Sequence, residues 1–393
     1  MSSSSRLAYF ATGFAMFSMF FGAGNVIFPL VLGASSGSHV LPVLVGLVLT
    51  GILLPLLGLL SMMLYDGHYR PFFSRIGALP GFFVIILIMA LIGPFAGIPR
   101  TITLSYTTLE LTFPGIPFIG FNLIFCAVTF LCAYRRDAVV NILGYWLTPA
   151  LLILLLVMLV VGFINLPVFP YTVVPVAQNL QQFLMGAEMG YNTMDVLAAL
   201  VFATVVVAGV KAELNHEHAR DTPHNVLRHA CKASAVAGVL LLIVYGGLCI
   251  LAAAYHQNLH DQPIDHLLAL LSLEIFGPQA SLLVNGVVIL ACLTTAIALL
   301  TVFADFLNRA ILKDKNHYVH WLIVTTIIAF VMSFLGFEKI VTLIFPILQV
   351  CYPFIIVLAL CNIAHKLWGV KYVKIPVLIT FILTLIFYAS SYA

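Results

Sequence analysis

Charged residues are scarce in this sequence. Only 8% of the 393 residues are Asp, Glu, Lys or Arg, whereas 63% are hydrophobic and the mean hydropathy is +1.14. A soluble domain would carry about 25% charged residues. A bilayer solvates apolar side chains directly. The composition therefore excludes a soluble protein and predicts an integral membrane protein.

Basic runs and metal-binding cysteine patterns are lacking as well. The net charge is only +3, and no cluster of Lys or Arg offers the basic surface of a nucleic-acid-binding protein. The seven cysteines form no CxxC pair, so we interpret them as small packing residues. A nucleic-acid partner is excluded. Neither a cofactor nor an obligate protein partner is expected, and the expected contacts are membrane lipid and a small-molecule substrate.

Long apolar runs account for most of the chain. A membrane-spanning helix needs about 20 largely apolar residues, and the sequence predicts an all-α integral membrane protein with eleven such helices. The third, sixth and eighth runs are too long for a perpendicular crossing, so they tilt, break or project beyond the lipid. The predicted spans are residues 7–32, 41–64, 77–109, 117–134, 143–164, 179–209, 233–254, 280–311, 318–335, 340–365 and 373–391.

The basic residues predict how these spans are oriented. Cytoplasmic loops carry an excess of Lys and Arg. With a cytoplasmic N-terminus, every basic residue except Lys339 and Arg100 falls on the cytoplasmic side, and the C-terminus is periplasmic. The residues on that side are Arg6, Arg70, Arg75, Arg135, Arg136, Lys211, Arg220, Arg228, Lys232, Arg309, Lys313, Lys315, Lys366, Lys371 and Lys374.

Glycine and polar residues interrupt two apolar runs at mid-membrane depth, residues 20–25 in the first span and 186–195 in the sixth. Glycine in a helix costs about 1 kcal/mol relative to alanine. Irregular backbone is tolerated in a membrane only inside protein or beside a cavity. We therefore predict that helices 1 and 6 are broken, the second around residues 188–191.

The same glycines have an alternative interpretation as packing contacts between helices. Gly22 with Gly24, and Gly186 with Gly190, are small residues that let backbones approach closely. Packing alone does not require polar neighbours, and their presence favours the breaks. Those neighbours are Asn25, Glu188, Asn192 and Asp195.

Five spans separate the two predicted breaks, so the second unit enters the membrane from the opposite side. This is the arrangement of a five-plus-five inverted repeat. The predicted divisions are residues 1–166 for the first repeat (helices 1–5), 175–366 for the second (helices 6–10) and 367–393 for an additional helix 11.

Polar residues in two further spans are candidates for function. Arg100 costs roughly 3 kcal/mol or more if it is unpaired at mid-membrane; it pairs with Asp195 or Glu188 in a charge network, or it contacts the substrate. Thr294 and Thr295 either bond to their own helix or complete an oxygen cage for a monovalent cation. We place backbone oxygens of Ser18 and Phe21 in that cage, and residues 20–25 beside it.

Four segments together resemble a known family, the bacterial branched-chain amino acid:cation symporters. They are residues 13–29, 92–101, 190–200 and 293–296. The resemblance implies the five-plus-five fold of the amino acid–polyamine–cation superfamily and a multi-pass protein of the bacterial inner membrane. It also implies import of leucine, isoleucine and valine with Na⁺ as the coupling ion, or with H⁺ in some relatives.

A zwitterionic amino acid needs a site that satisfies opposite charges a few ångströms apart, and a broken helix supplies both. Free N–H groups near residues 23–25 favour the carboxylate. Free carbonyls near residues 20–21 and from the second break favour the ammonium group, and Phe17, Phe95, Ile98, Met189 and Met194 are available for an aliphatic pocket. The predicted substrate-binding residues are Phe21, Gly22, Ala23, Gly24, Asn25, Phe95, Glu188, Met189, Gly190, Tyr191 and Asn192; the predicted ion-binding residues are Ser18, Phe21, Thr294 and Thr295.

Other functions remain as alternatives. Glu188 and Asp195 keep H⁺ coupling open, because a carboxylate inside a membrane can exchange protons. A different neutral amino acid would fit the same fold. A channel is disfavoured because no span carries a regular polar stripe. An enzyme is not expected, because the dense histidine group lies in a loop where His216 and His218 are two residues apart rather than at the helical metal spacing of four.

Overall fold

The computed structural model describes residues 3–135, 139, 142–167, 176–216, 223–277, 281–310 and 317–392. Throughout these residues the regular structure is helical, which confirms the predicted all-α class. The predicted loop residues Arg136, Arg220, Lys313 and Lys315, the loop histidine His218 and the predicted domain start at 175 lie outside the described residues.

Each of the eleven predicted spans corresponds to helix, and we number them 1 to 11 in chain order. Seven are helices long and apolar enough to cross a membrane, and two bent pairs raise the number to nine. Spans 4 and 11 are shorter apolar helices at the predicted positions. The bounds are Ser3–Phe20 and Ala23–Ser36 (halves 1a and 1b), Val40–Met63, Ala78–Thr112, Phe118–Ala133, Ile142–Ile164, Val176–Asn192 and Asp195–His216 (halves 6a and 6b), Pro223–Ala254, Ser281–Ala310, Tyr318–Leu335, Phe337–Trp368 and Lys374–Tyr392.

Short helices connect some of the spans. Tyr69–Phe73 and the 3₁₀ turn Ser74–Ile76 lie between spans 2 and 3. His256–Leu259 and Leu267–Phe276 lie between spans 7 and 8. No separate domain interrupts the described helices.

Half-helices 1b and 6b lie at the centre of the bundle, whereas much of half-helix 6a is exposed. Half-helix 1b is almost entirely buried, and it packs against span 7, where a side chain at Gly33 would overlap the backbone of Cys249. Span 8 packs against span 3. Within its most apolar 18-residue stretch, 78% is buried inside the protein, compared with 22% for span 9. Spans 1 and 8 are therefore shielded from lipid, as a membrane protein requires for helices with irregular backbone or polar groups.

The first break lies where the sequence predicts it. Half-helix 1a ends at Phe20, half-helix 1b begins at Ala23, and their axes are bent by 69°. Gly22 between them is extended, with φ −113° and ψ −159°. The predicted break in helix 1 is confirmed.

The second break is present but lies further along the chain than predicted. Half-helix 6a continues through Asn192 and half-helix 6b begins at Asp195, with a bend of 42°. Met194 adopts a left-handed conformation, φ +65°, which interrupts the helical hydrogen bonds. The break in helix 6 is confirmed, but its placement around residues 188–191 is wrong.

The break in helix 6 lies further along the chain than predicted because the glycines at 186 and 190 pack against another helix. Gly186 and Gly190 are helical and face span 2, where a side chain on either glycine would overlap Val43 or Thr50. Close approach of two helices through small residues is the alternative interpretation given above for this pair. These glycines therefore serve helix packing and not the break.

Span 3 contains a third irregularity that positions Arg100. Its π-helical segment Leu91–Phe95 contains Pro94 and a non-helical Gly93, φ −85° and ψ −118°. A regular α-helix, Gly97–Thr112, then begins. The irregular turn releases backbone from the helical ladder, and it places Arg100 in the first turn of the new helix, facing the two breaks.

Candidate functional site

A narrow cavity of about 40 Å³ lies between the two breaks. About 10–15 Å³ is enough to hold one water molecule, so this cavity has to widen before an amino acid can occupy it. Its wall combines polar groups from both breaks with apolar side chains from spans 3, 6 and 8. The lining residues are Met19, Phe20, Gly22, Ala23, Gly24, Asn25, Ile92, Gly97, Arg100, Thr101, Thr193, Met194, Asp195, Ala198, Thr295 and Leu299.

The first break exposes backbone donors and acceptors to this cavity. The first helical hydrogen bond of half-helix 1b runs from the N–H of Val26 to the carbonyl of Gly22, 3.1 Å. The N–H groups of residues 23–25 precede that bond and have no partner within the helix. The carbonyl of Phe21 likewise lies outside the helical pattern. The side chain of Asn25 partly caps the break by accepting the N–H of Gly22 at 3.3 Å.

A buried carboxylate joins the two breaks. Oδ2 of Asp195, the first residue of half-helix 6b, accepts hydrogen bonds from Nδ2 of Asn25 at 2.5 Å and from the hydroxyl of Tyr245 at 3.0 Å. Asn25 also donates to the Tyr245 hydroxyl. The Asp195 N–H is 3.4 Å from the hydroxyl of Thr193, which caps the new helix. One side chain therefore holds half-helix 1b, half-helix 6b and span 7 together.

Arg100 lies on the opposite wall of the cavity, 3% exposed. Its Nη1 donates to the carbonyl of Asn192, at the end of half-helix 6a, and lies the same distance, 3.1 Å, from the sulfur of Met194. The guanidinium carbon is 5.2 Å and 5.4 Å from the ring centroids of Phe28 and Phe337, within cation–π range. The break in helix 6 thus supplies the main acceptor for this cation.

The predicted Arg100–Asp195 charge network is only partly present. Both side chains line the cavity, yet among the described residues Arg100 forms no salt bridge with Asp195 or with any other carboxylate. Instead, Asp195 is bonded to neutral groups. The two side chains therefore line one cavity without forming an ion pair.

Oxygen atoms from spans 1 and 8 converge beside the cavity. The hydroxyl of Thr294 lies 3.1 Å from the carbonyl oxygen of Ser18 and 2.9 Å from that of Ala291. The hydroxyl of Thr295 lies 3.3 Å from the carbonyl oxygens of both Ser18 and Met19. One hydroxyl bonds to its own helix, as in the first interpretation given above, and both bond to half-helix 1a; the oxygen cage for a cation stays a prediction.

Several predicted substrate residues lie away from the cavity. Glu188 is exposed, where it accepts a hydrogen bond from Nε2 of Gln349 at 2.8 Å, and it does not pair with Arg100. Phe95 is 44% exposed, and Tyr191 packs its ring 4.8 Å from that of Tyr352. The predicted residues outside the cavity lining are Phe21, Phe95, Glu188, Met189, Gly190, Tyr191 and Asn192, although the backbone of Asn192 reaches Arg100.

The sequence interpretation also missed residues that the structure brings to the site. Tyr245 lies in an apolar run of span 7, with no local signal for a role 50 residues from Asp195 and 220 from Asn25. Thr193 had a signal, since a hydroxyl residue just before an acidic residue and an apolar run is typical of a helix start. No group of three or more His, Cys, Asp or Glu side chains in the described part of the chain is placed to hold a metal ion.

A family comparison agrees with this architecture. The model of the family described as branched-chain amino acid transport protein matches residues 5–392. The chain belongs to this family. A relative within it, the branched-chain amino acid permease BrnQ of Corynebacterium glutamicum, is 32% identical over 369 residues, which cover 92% of this chain and 82% of the relative.

Solved structures share the fold at low sequence identity. The Eremococcus coleocola manganese transporter, in complex with an aromatic bis-isothiourea substituted compound, superposes with a TM-score of 0.62 at 15% identity, over 98% of this chain and 86% of that one. A nucleobase-cation-symport-1 family transporter in a closed conformation gives 0.56 at 12% identity, over 98% and 93%. These likenesses confirm that the chain shares the overall fold of these two membrane transporters. Because the chain belongs to the family of branched-chain amino acid transport proteins and contains many helices able to cross a membrane, it is a multi-pass membrane transport protein.

Proposed function

We propose that this protein imports leucine, isoleucine and valine together with Na⁺ by alternating access, across a bacterial inner membrane, with the N-terminus in the cytoplasm and the C-terminus in the periplasm. The observation that carries the proposal is the convergence of oxygen atoms from half-helix 1a and span 8 directly beside a cavity formed by two broken helices. Family membership supports the substrate class.

The ion site uses oxygens that are already close together. Unwound carbonyls and half-helix ends are the groups that coordinate Na⁺ in transporters with inverted repeats. The carbonyls of Ser18, Met19 and Ala291 accept hydrogen bonds from the hydroxyls of Thr294 and Thr295 and so supply such oxygens. We retain the carbonyl of Phe21, at the break itself, as a proposed further ligand. Each hydroxyl donates to a carbonyl here. Rotation of the O–H bond would present the oxygen lone pairs to the cation instead.

The substrate site uses the opposite ends of the same breaks. The N–H groups at residues 23–25 and the dipole of half-helix 1b favour the carboxylate. Carbonyls at the end of half-helix 1a favour the ammonium group. Apolar side chains on the other walls, Ile92, Ala198 and Leu299, suit an aliphatic side chain. The cavity thus provides groups of both charges and an apolar surface.

Coupling follows from the continuity of the first break. Residues 18–21 supply ion ligands and carbonyls for the ammonium group, and residues 22–25 supply contacts for the carboxylate, so both sites depend on one short segment of backbone. An ion that fixes this segment also prepares the substrate site, and the reverse holds by linkage. Closing and opening the cavity towards alternate sides would then move the two solutes together.

The test is uptake of labelled leucine into proteoliposomes that contain the purified protein. An inward Na⁺ gradient should drive accumulation, and Thr294→Val and Thr295→Val should each raise the Na⁺ concentration for half-maximal uptake by about tenfold or more, the effect of losing one ligand to a charge. Thr301→Val is the matched control, because that hydroxyl bonds only within span 8, to Ile297. Full uptake without Na⁺, driven by an imposed pH gradient, would contradict Na⁺ coupling.

A second candidate, H⁺ coupling, is favoured by one specific observation. Asp195 is buried, lines the cavity and bonds across both breaks to Asn25. An ionisable group in such a position is a functional candidate for proton transfer. Glu188, the other acid considered from the sequence, is exposed and is no longer a candidate for this role. Uptake that follows the pH gradient and is lost in Asp195→Asn would support this candidate.

A further inference from the structure

The guanidinium of Arg100 is buried with most of its donors unused. Its Nη1 bonds to the carbonyl of Asn192 at 3.1 Å. Its Nε and Nη2 have no hydrogen-bond partner among the residues that the structure describes. Within the same residues no carboxylate forms a salt bridge with it. A buried cation without a paired anion is strongly unfavourable, so this environment is complete only when an anion is bound.

The unused donors form one edge of the guanidinium. Nε and Nη2 point in parallel along that edge, which is the geometry that binds a carboxylate through two hydrogen bonds. An inorganic cation or a neutral amide cannot satisfy both donors in this way. The free edge therefore matches a planar anion with two oxygens.

The free nitrogen also faces the start of half-helix 1b. Nη2 lies 3.1 Å from the point where a Cβ on Gly24 would be. Because Gly24 has no side chain, the guanidinium lies directly against the first helical turn; its Nε and Nη2 are buried here, so the cavity has to widen before a ligand can reach them. The positive end of this 14-residue helix and the guanidinium repel each other unless an anion lies between them. Both line one cavity.

We propose that Arg100 binds the α-carboxylate of the substrate through Nε and Nη2, together with the N–H groups at the start of half-helix 1b. The inference rests on the proposed function, and it adds a side chain from span 3 to a site otherwise built from helix ends. Asp195 forms no salt bridge with Arg100 in this structure, and its Oδ2 accepts bonds from Asn25 and Tyr245 instead. The transporter accordingly selects amino acids with a free carboxylate and rejects their amides.

The test measures equilibrium binding of leucine and of leucinamide to the purified full-length protein in saturating Na⁺. Leucinamide lacks the negative charge but keeps the amine and the side chain. The wild type should bind leucine at least about 30-fold more tightly than leucinamide, the usual effect of removing one partner of a buried charge pair. In Arg100→Gln the preference should fall to about threefold or less, and Arg100→Lys should retain part of it.

Arg309→Gln is the matched control, because Arg309 is an exposed arginine that pairs with Asp305 at 3.1 Å and lies away from the cavity. The Arg309→Gln protein should prefer leucine over leucinamide by the same factor as the wild type. Thermal stabilisation by Na⁺ shows whether each variant is folded. If Arg100→Gln does not fold, Arg100→Lys decides: a reduced preference supports the inference, and an unchanged one overturns it.

A purely structural role for Arg100 gives a different result. The binding of leucine and the binding of leucinamide would then weaken by the same factor in Arg100→Gln, and the preference for leucine over leucinamide would stay at its wild-type value. That outcome overturns the inference while leaving the proposed function intact. A wild type that binds no leucine in Na⁺ overturns the proposed function itself, and this inference with it.

Discussion

Gly22→Ala tests whether the first break and the ion site are one structure. Gly22 is extended, φ −113° and ψ −159°, a conformation open to any residue, so alanine introduces no backbone strain there. A Cβ at this position would instead lie 2.8 Å from the hydroxyl oxygen of Thr295 and 2.9 Å from its methyl carbon. Thr295 has to move, and its hydroxyl moves away from the carbonyls of Ser18 and Met19.

The size of the effect follows from this overlap. Forcing one extra carbon into a packed interior costs about 1–3 kcal/mol. If that energy opposes the ion-bound arrangement, the Na⁺ concentration for half-maximal leucine uptake rises about 5- to 150-fold. The assay is the Na⁺ dependence of uptake in proteoliposomes, with thermal stability of the purified variant measured in parallel.

Two further variants test whether the overlap with Thr295 causes the change in Na⁺ dependence. Gly58→Ala is the matched control, because its Cβ would meet nothing closer than 3.8 Å, an ordinary contact. Adding Thr295→Ser to Gly22→Ala removes the methyl carbon and keeps the hydroxyl, so part of the Na⁺ affinity should return. A half-saturating Na⁺ concentration within about twofold of the wild type in a stable Gly22→Ala protein would refute the reasoning, because Thr295 could then be displaced without any effect on the ion site.

Other variants separate the site from its surroundings. Tyr245→Phe removes a hydrogen bond to the Asp195 carboxylate, so thermal denaturation should show a loss of about 1.5–3 kcal/mol together with weaker leucine uptake; unchanged stability would show that the bond contributes nothing. Glu188→Gln alters an exposed contact with Gln349, and leucine uptake should stay within about twofold of the wild type; a large loss would return Glu188 to the site. Gly190→Ala overlaps Thr50 on span 2, and it should lower stability by about 1–3 kcal/mol with the Na⁺ dependence of the remaining folded protein unchanged; a shift in that dependence would contradict a purely packing role.

Hydropathy predicts this fold well because the bilayer leaves the backbone few choices. A run of about 20 apolar residues has to satisfy its own hydrogen bonds as a helix. The eleven predicted segments are all helical, including spans 4 and 11, which are short. The first break was predictable for the same reason, since Gly22 and Asn25 have no role in a lipid-facing helix.

The second break shows where this reasoning reaches its limit. Glycines mark positions where backbone either unwinds or approaches another helix, and the sequence does not distinguish the two. Gly186 and Gly190 approach span 2, whereas the unwinding occurs at Met194, a residue that rarely adopts positive φ. The start of half-helix 6b, with Thr193 and Asp195, was the better signal.

Partners of the polar residues could not be predicted, because they depend on contacts between distant parts of the chain. The acidic partner suggested for Arg100 was Asp195 or Glu188, but the observed acceptor is a backbone carbonyl freed by the second break. Tyr245, which completes the Asp195 network, lies in an ordinary apolar run. Backbone groups at a break carry no sequence signature of their own.

The most direct test of the account is reciprocal binding of Na⁺ and leucine to the purified protein. The dissociation constant of leucine is measured with and without Na⁺, and that of Na⁺ with and without leucine. Because one segment of backbone, residues 18–25, serves both sites, each solute should tighten the binding of the other by the same factor, about 5- to 150-fold. Affinities that are independent of each other would contradict the claim that the two breaks hold ion and amino acid together.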